Sequence, residues 1–443
     1  MQIIQSSEFD IYWKTQTTKE DDEKTESTVK EIIAAVRREG DDAVRRFAAK
    51  FDKSSPLHLE VPLCEAKRAL EELRAGDPAL TEALELAGQN IKRFSEKQKE
   101  QFVNFEYEMA DGLVTGQRII PVQRAAVYIP GGRFPLFSSA LMCMIPAFCA
   151  GAEEVLLSSP PGENGLPDRR TLAAAAIAAQ ISGISVNGTS GGKLRIFAIG
   201  GAQAIAALAL GTESVPKADF IAGPGNKYVA AAKRVLFGEA GIDFIAGPTD
   251  VLIIADGSCG QAAELVAADM LAQAEHDDDA RARALVPNAE FAGQIMAAVE
   301  KRLPALYTKK TAGSSLNAGG LIIVYKNKDE AIRIANIIAP EHLELQMSDE
   351  SWIPRLRNYC SLFIGALSAE TLGDYSAGIN HTLPTSTSAR FTGGLSVRHF
   401  LKTVTTLRCA NGEGFEKARN AAEIIAKAEG LEAHARSAAE RKV

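Results

Sequence analysis

The sequence predicts an α/β protein built on parallel sheets in two halves. Three observations predict it. From residue 119 onward, short apolar runs alternate with helical stretches, the turns between them are made of Gly, Pro, Gln and Asn, and a second α/β set follows the crossover at 244–250. Strand-to-helix alternation at this spacing gives mostly parallel sheets, whose ligands sit at the carboxyl ends of the strands. At 443 residues the chain exceeds one ordinary core, so two or more domains are expected.

Residues 1–24 are polar, with a charge cluster at 19–24, and predict an arm. Residues 25–51 have helical spacing (Val29, Ile32, Ile33, Val36, Val44, Phe47) interrupted at Gly40, and 63–103 continue as charged amphipathic helix. Both are expected to cover a sheet. The run 125–129 is a strand leading into Pro130-Gly131-Gly132. Then come a small-residue helix (139–150), a strand (154–157) and an Ala-rich helix (169–181). The strand 195–199 leads through Gly200-Gly201-Ala202-Gln203 into a helix at 204–210. The strand 219–222 leads through Gly223-Pro224-Gly225-Asn226 into a helix at 228–237. The second set has strands at 251–255, 284–286, 321–325 and 361–364, with helices at 261–273, 292–302 and 329–337. Residues 378–394, rich in Gly, Ser and Thr, predict a functional loop. The tail 415–443 is a charged helix broken at Gly430. The expected division is an arm at 1–24, one α/β domain from 25–127 with 250–395, another at 128–249, and a tail at 396–443.

Hydrophobic content is 46 % and net charge −7, which argues against a nucleic-acid or anionic-membrane partner. Six cysteines without a C-x-x-C pair read as thiols of a reducing compartment. No leader or spanning segment is recognisable, and a cytoplasmic location is expected.

The chemistry concentrates in a few places. Gln273 and His276 are three apart at a helix end, on one face, and Asp277, Asp278 and Asp279 follow. Glu341 and His342 follow Pro340, a carboxylate beside an imidazole suited to acid/base work. Asp374 and His381 lie among small residues that allow close approach to a ligand. Glu429 and His434 are five apart on the terminal helix and do not share a face unless Gly430 bends it. Read singly, each histidine is also explained as a surface or satisfied core imidazole, and His58 and His399 are read as structural. Gln273, His276, Asp374 and His434 form a mixed N/O set that suits zinc with an open position. The usual G-x-G-x-x-G is missing. The Gly200 and Gly223 turns nonetheless offer helix N-termini to a phosphate. Asp219 mimics a ribose-binding acid but equally opens its strand.

Side by side, these stretches resemble the histidinol dehydrogenase family along nearly the whole chain. The matching motifs are Tyr128-Ile129-Pro130-Gly131-Gly132, Gly200-Gly201-Ala202-Gln203-Ala204-Ile205-Ala206, Gly223-Pro224-Gly225-Asn226, Ala246-Gly247-Pro248-Thr249-Asp250, Gln273-Ala274-Glu275-His276, Pro340-Glu341-His342-Leu343, Gly373-Asp374-Tyr375 with Asn380-His381, Gly394-Leu395-Ser396-Val397, and Glu429-Gly430-Leu431-Glu432-Ala433-His434. The resemblance implies two Rossmann-like domains and a homodimer that exchanges its tail, with active sites shared between subunits. It implies zinc on Gln273, His276 and Asp374 of one subunit and His434 of the other, and NAD contacted by Tyr128, Gln203 and Asn226. Glu341 and His342 match the acid/base pair. Thr249, His381 and Glu429 fall at substrate positions, together with Gln273, His276, His342, Asp374 and His434. The implied reaction is a four-electron oxidation of an amino alcohol, L-histidinol by default, through an aldehyde to the acid, using two NAD.

Thr249-Asp250 replaces the common Ser-Glu, and Asp277-Asp278 a common Gly-Pro. Together with Arg133 and Thr392-Gly393-Gly394, Thr249 resembles a paralogous branch of the family. That keeps open another small primary alcohol such as 2,3-dihydroxypropane-1-sulfonate. A non-catalytic binding protein is a further alternative, against which the intact Glu341–His342 pair speaks.

Overall fold

The computed structural model describes residues 1–15, 22–56, 58–131, 135–186, 193–245, 247–258 and 260–441. Gly132, Arg133, Ala246, Cys259 and the start of the 19–24 charge cluster lie outside them.

Two six-stranded sheets organise the chain. The first runs Gln2–Gln5, Leu321–Val324, Arg281–Val286, Asp250–Ala255, His342–Gln346, Ser361–Ile364, and every neighbouring pair is parallel. Asp250–Ala255 lies at its centre and is buried on both faces: Val251, Ile253 and Ala255 enter one core, Leu252 and Ile254 the other. That is the period of two expected of a strand covered by helices on each side. The second sheet runs Glu60–Val61, Leu194–Ala198, Glu154–Ser159, Arg124–Tyr128, Phe220–Ala222, Gly241–Ile242. It is parallel except for its antiparallel edge strand Glu60–Val61.

Three expectations change. The polar arm instead begins with an edge strand of the first sheet, Gln2–Gln5, and Phe9 is fully buried against Leu321 and Leu285. The helices between 25 and 99, grouped by sequence with 250–395, cover the second sheet. Val29, Ile32 and Val36 share a core with Leu156 and Ile199, while Leu63, Leu70, Leu84 and Ile91 pack with Val127 and Leu157. An apolar stripe shows that a helix covers a sheet but not which sheet, and chain order is no guide. Finally, Phe105–Ala110, Leu113–Pro121 and Leu401–Cys409 form an antiparallel sheet that was not anticipated. Its hairpin turns at Asp111-Gly112, with Gly112 at φ 74°, a recognised hairpin signal.

The tail folds as two helices, Glu413–Ala428 and Glu432–Ala439, broken at Gly430 with φ 76°. Among the described residues, no helix is long and apolar enough to cross a membrane.

Candidate active site

The helix Ala262–Ala274 delivers Gln273 buried and His276 just beyond its end, as the spacing predicts. The strand His342–Gln346 starts one residue after Glu341 and lies beside Asp250–Ala255, with His342 opposite Val251. Asp374 comes from the short helix Glu370–Tyr375 rather than from a Gly-rich loop. These elements meet at the carboxyl end of Ala262–Ala274 and the amino end of His342–Gln346. The His342 side is therefore reached at the start of its strand, not at the carboxyl end that open α/β sheets ordinarily use.

Geometry draws most of the expected residues together. His342 Nε2 is 3.5 Å from Asp374 Oδ1, its Nδ1 is 3.5 Å from Glu370 Oε1 and 3.9 Å from Glu341 Oε2, and His276 Nε2 is 4.0 Å from Asp374 Oδ2. Glu341 accepts from the Thr249 hydroxyl and from the Asp250 amide at 3.1 Å. Its own amide donates to Asp250 Oδ1 at 3.1 Å, which locks the two loops reciprocally. Burial pushes the Glu341 carboxyl up to about 7, partly offset by His342 and the Thr249 hydrogen bond. Burial pulls His342 down, but Glu370, Glu341 and Asp374 outweigh it and raise the imidazole well above its ordinary value. His381 is pulled down by burial and held 3.1 Å from Ser139 Oγ. Asn380 donates to Met142 O at 2.6 Å, so the 378–394 segment is seated on the helix Ser138–Ala150 of the other half.

Sequence reasoning missed Glu370. It is buried, carries no motif and sits four residues before Asp374, the helical spacing that would have paired them. His342, Glu370 and Asp374 present ligand atoms within 4.8 Å of one another, a group able to hold a metal ion. Of the expected metal set, only Asp374 belongs to it.

The donor chemistry fits a cation. Both His342 nitrogens are buried without a hydrogen-bond partner. With its nitrogen on Thr249 Oγ1 at 2.9 Å, the Gln273 amide turns its oxygen toward the Glu370 carboxylate, acceptor against acceptor. Turned over, its nitrogen donates to Glu370 at 2.6 and 3.1 Å. The first orientation keeps the chain Gln273–Thr249–Glu341 intact and suits a cation, or a proton on Glu370, between the two oxygens. Asp277, Asp278 and Asp279 form an exposed turn in which Asp277 accepts from the Asp279 amide at 3.1 Å. Glu429, in the turn between the terminal helices, and His434, on the second of them, stay exposed.

The second sheet carries a cavity of about 870 Å³ lined by Tyr128, Gln203 and Asn226, all three of the expected cofactor residues. Its volume falls within the range of small-molecule and cofactor sites. Tyr128 OH accepts from the Gly201 amide at 3.0 Å, and Asn226 caps Lys227–Leu236 through the Tyr228 and Val229 amides at 3.0 and 3.2 Å. Gln203 is fully buried, with Oε1 unpartnered. A Cβ on Gly223 would lie 2.2 Å from Tyr128 O, so the Gly223 turn needs glycine. Asp219 accepts from the Arg124 amide at 2.8 Å and so opens its strand, outside the cavity lining.

A cofactor-sized cavity on one α/β half and a buried carboxylate–imidazole cluster on the other define an α/β enzyme of the dehydrogenase kind. Residues 15–442 match the family model described as histidinol dehydrogenase, and the chain belongs to that family. It is 44 % identical over 424 residues to the histidinol dehydrogenase of Aquifex aeolicus, covering 95 % of this chain and 93 % of the relative. It is 42 % identical over 426 residues to that of Pseudomonas fluorescens strain Pf-5, covering 95 % and 91 %. The crystal structure of histidinol dehydrogenase from Elizabethkingia anophelis superposes with a TM-score of 0.88 at 34 % identity, covering 99 % of this chain and 97 % of that one.

Proposed function

We infer that the residues gathered here carry out the family's reaction. The protein is a histidinol dehydrogenase, an NAD-dependent oxidoreductase of histidine biosynthesis that takes L-histidinol to L-histidine. The observation that carries this is the 41–44 % identity to curated histidinol dehydrogenases over about 95 % of the chain.

His342 is placed to accept the alcohol proton, and NAD, when bound, would supply the hydride acceptor for each of the two oxidations. Neutralising the carboxylates around His342 returns its imidazole toward the ordinary range, the form that takes a proton. Glu341, held by Thr249 and Asp250, removes a proton from the water that adds to the aldehyde carbon. Tyr128, Gln203 and Asn226 line the cavity that takes the dinucleotide. Gln273, His276 and Asp374 would hold zinc, with His434 supplied by a second copy of the chain. Zinc, when bound, supplies a redox-inert Lewis acid that anchors and orients the substrate. Glu370 lies against His342 and Gln273 and sets a carboxylate beside the His342 imidazole. Thr249, His381 and the second copy's Glu429 position the substrate.

The test follows NADH with L-histidinol and, in parallel, with 2,3-dihydroxypropane-1-sulfonate. Two NADH per histidinol are expected. NADH from the sulfonate alone would transfer the protein to the paralogous reading, and no NADH from histidinol would overturn the default.

A further inference from the structure

We propose that Asp52 selects the unphosphorylated dinucleotide: its carboxylate accepts the adenosine-ribose 2′-hydroxyl of NAD and repels the phosphate ester that NADP carries there. This rests on reading the 870 Å³ cavity as the dinucleotide site.

The strand order Leu194–Ala198, Glu154–Ser159, Arg124–Tyr128, Phe220–Ala222 is third, second, first, fourth in the α/β run that opens at Arg124. In sheets of this order, an acid after the second strand reads the adenosine ribose. Here Glu154–Ser159 is followed by Pro160-Pro161-Gly162, and the next acid, Glu163, does not line the cavity. Asp52, arriving just past the helix Asp41–Phe51, supplies one from outside the sheet. It lines the cavity and lies against Gly200 at the end of the third strand. A Cβ on Gly200 would meet Asp52 Oδ1 at 2.3 Å and Pro160 at 2.9 Å, so the carboxylate sits between the second and third strand ends.

The turn itself has no room for another anion. Asp52 Oδ2 accepts from the Gly200 amide at 3.2 Å and from Gln203 Nε2 at 3.4 Å, and the Gly201 amide is taken by Tyr128 OH. The donors that commonly receive a phosphate at such a turn are already occupied, one of them by a negative group. Gln203 Oε1, fully buried and unpartnered in the same wall, also calls for a donor rather than an anion. The cationic groups lining the cavity are Lys53, Arg169 and Arg170; Asp168 and Arg170 pair with each other at 3.2 Å. Arg169 pairs with Glu72 in turn, so Lys53 remains for the pyrophosphate, while the Gly200 corner favours hydroxyls. Burial lifts the Asp52 carboxyl to about 6, which leaves it ionised at pH 7.5.

Isothermal titration of the full chain with NADH and NADPH tests this without turnover. Wild type should bind NADPH roughly a hundredfold more weakly than NADH. Asp52→Asn keeps an oxygen for the Gly200 amide and removes the charge. It should narrow that ratio about tenfold or more, with NADPH tightening and NADH weakening. A ratio unchanged within about twofold overturns the proposal. If Asp52→Asn does not fold, wild type titrated with 2′-deoxy-NADH decides: about tenfold weaker binding than NADH is expected, and equal binding overturns the assignment. Wild type that binds neither dinucleotide would instead overturn the reading of the cavity itself.

Discussion

Glu341 and His342 are sequence neighbours with opposite electrostatic situations. Glu341 is surrounded by donors, His342 by carboxylates. The raised Glu341 carboxyl has two consequences of opposite sense. As a base it works only when ionised, so kcat should rise with pH through about 7 and lose that limb in Glu341→Gln. For stability, its folded value lies above its unfolded one. Its contribution is therefore fully present below about 4.5 and is lost as pH rises through about 7, at a cost of about 3 kcal/mol. Urea denaturation across this window should show Glu341→Gln gaining on wild type as pH rises, and a parallel pH dependence of the two proteins would refute the burial argument. His342→Asn should reduce kcat by roughly 10²–10⁴-fold with zinc content unchanged. Turnover near the wild-type rate would remove His342 from the mechanism.

At the scale of elements, the Gly223 turn shows how a motif is held. Lys233 and Asp243 form an ion pair whose side chains are 2 % and 0 % exposed. Lys233 donates to Gly223 O at 3.0 Å, and Asp243 Oδ2 accepts from Gly223 N at 2.8 Å. One pair thus grips both polar groups of the glycine whose turn leads to Asn226. Lys233→Met leaves a buried carboxylate without its partner and should cost about 3–5 kcal/mol in urea denaturation. Adding Asp243→Asn should recover part of that loss; an equal or larger loss in the double variant would mean the two charges are not coupled. The turn was legible because Gly and Asn have strong local preferences, and strands such as Asp250–Ala255 were legible from apolar runs between Gly-rich turns. The Lys233–Asp243 clamp was not, since nothing in their spacing says that both residues reach Gly223. Glu370 was hidden for a similar reason: one glutamate among many, made special by the imidazole and carboxamide that the fold sets against it.

At the scale of the molecule, the chain assembles most of one site and leaves two of its expected residues stranded. Gln273, His276, Glu341, His342 and Asp374 converge through long-range strand pairing, whereas His434 and Glu429 remain exposed on a tail that also exposes Ile424, Ile425 and Leu431. From residues alone, His434 had no spacing argument; only the resemblance joined it to Gln273. The proposed second copy, covering the apolar tail, would account for both facts, because burial against a partner removes exposed apolar surface and brings the imidazole to a new environment. Complementation tests that arrangement. His342→Asn and His434→Asn homodimers should each be inactive. In a hybrid of the two, one site receives both substitutions and the other receives neither. Unfolding and refolding an equal mixture should therefore restore about a quarter of wild-type activity, since about half the dimers are hybrids with one intact site of two. If His434 served its own chain's site, every site in every hybrid would carry one substitution, and mixing would restore nothing.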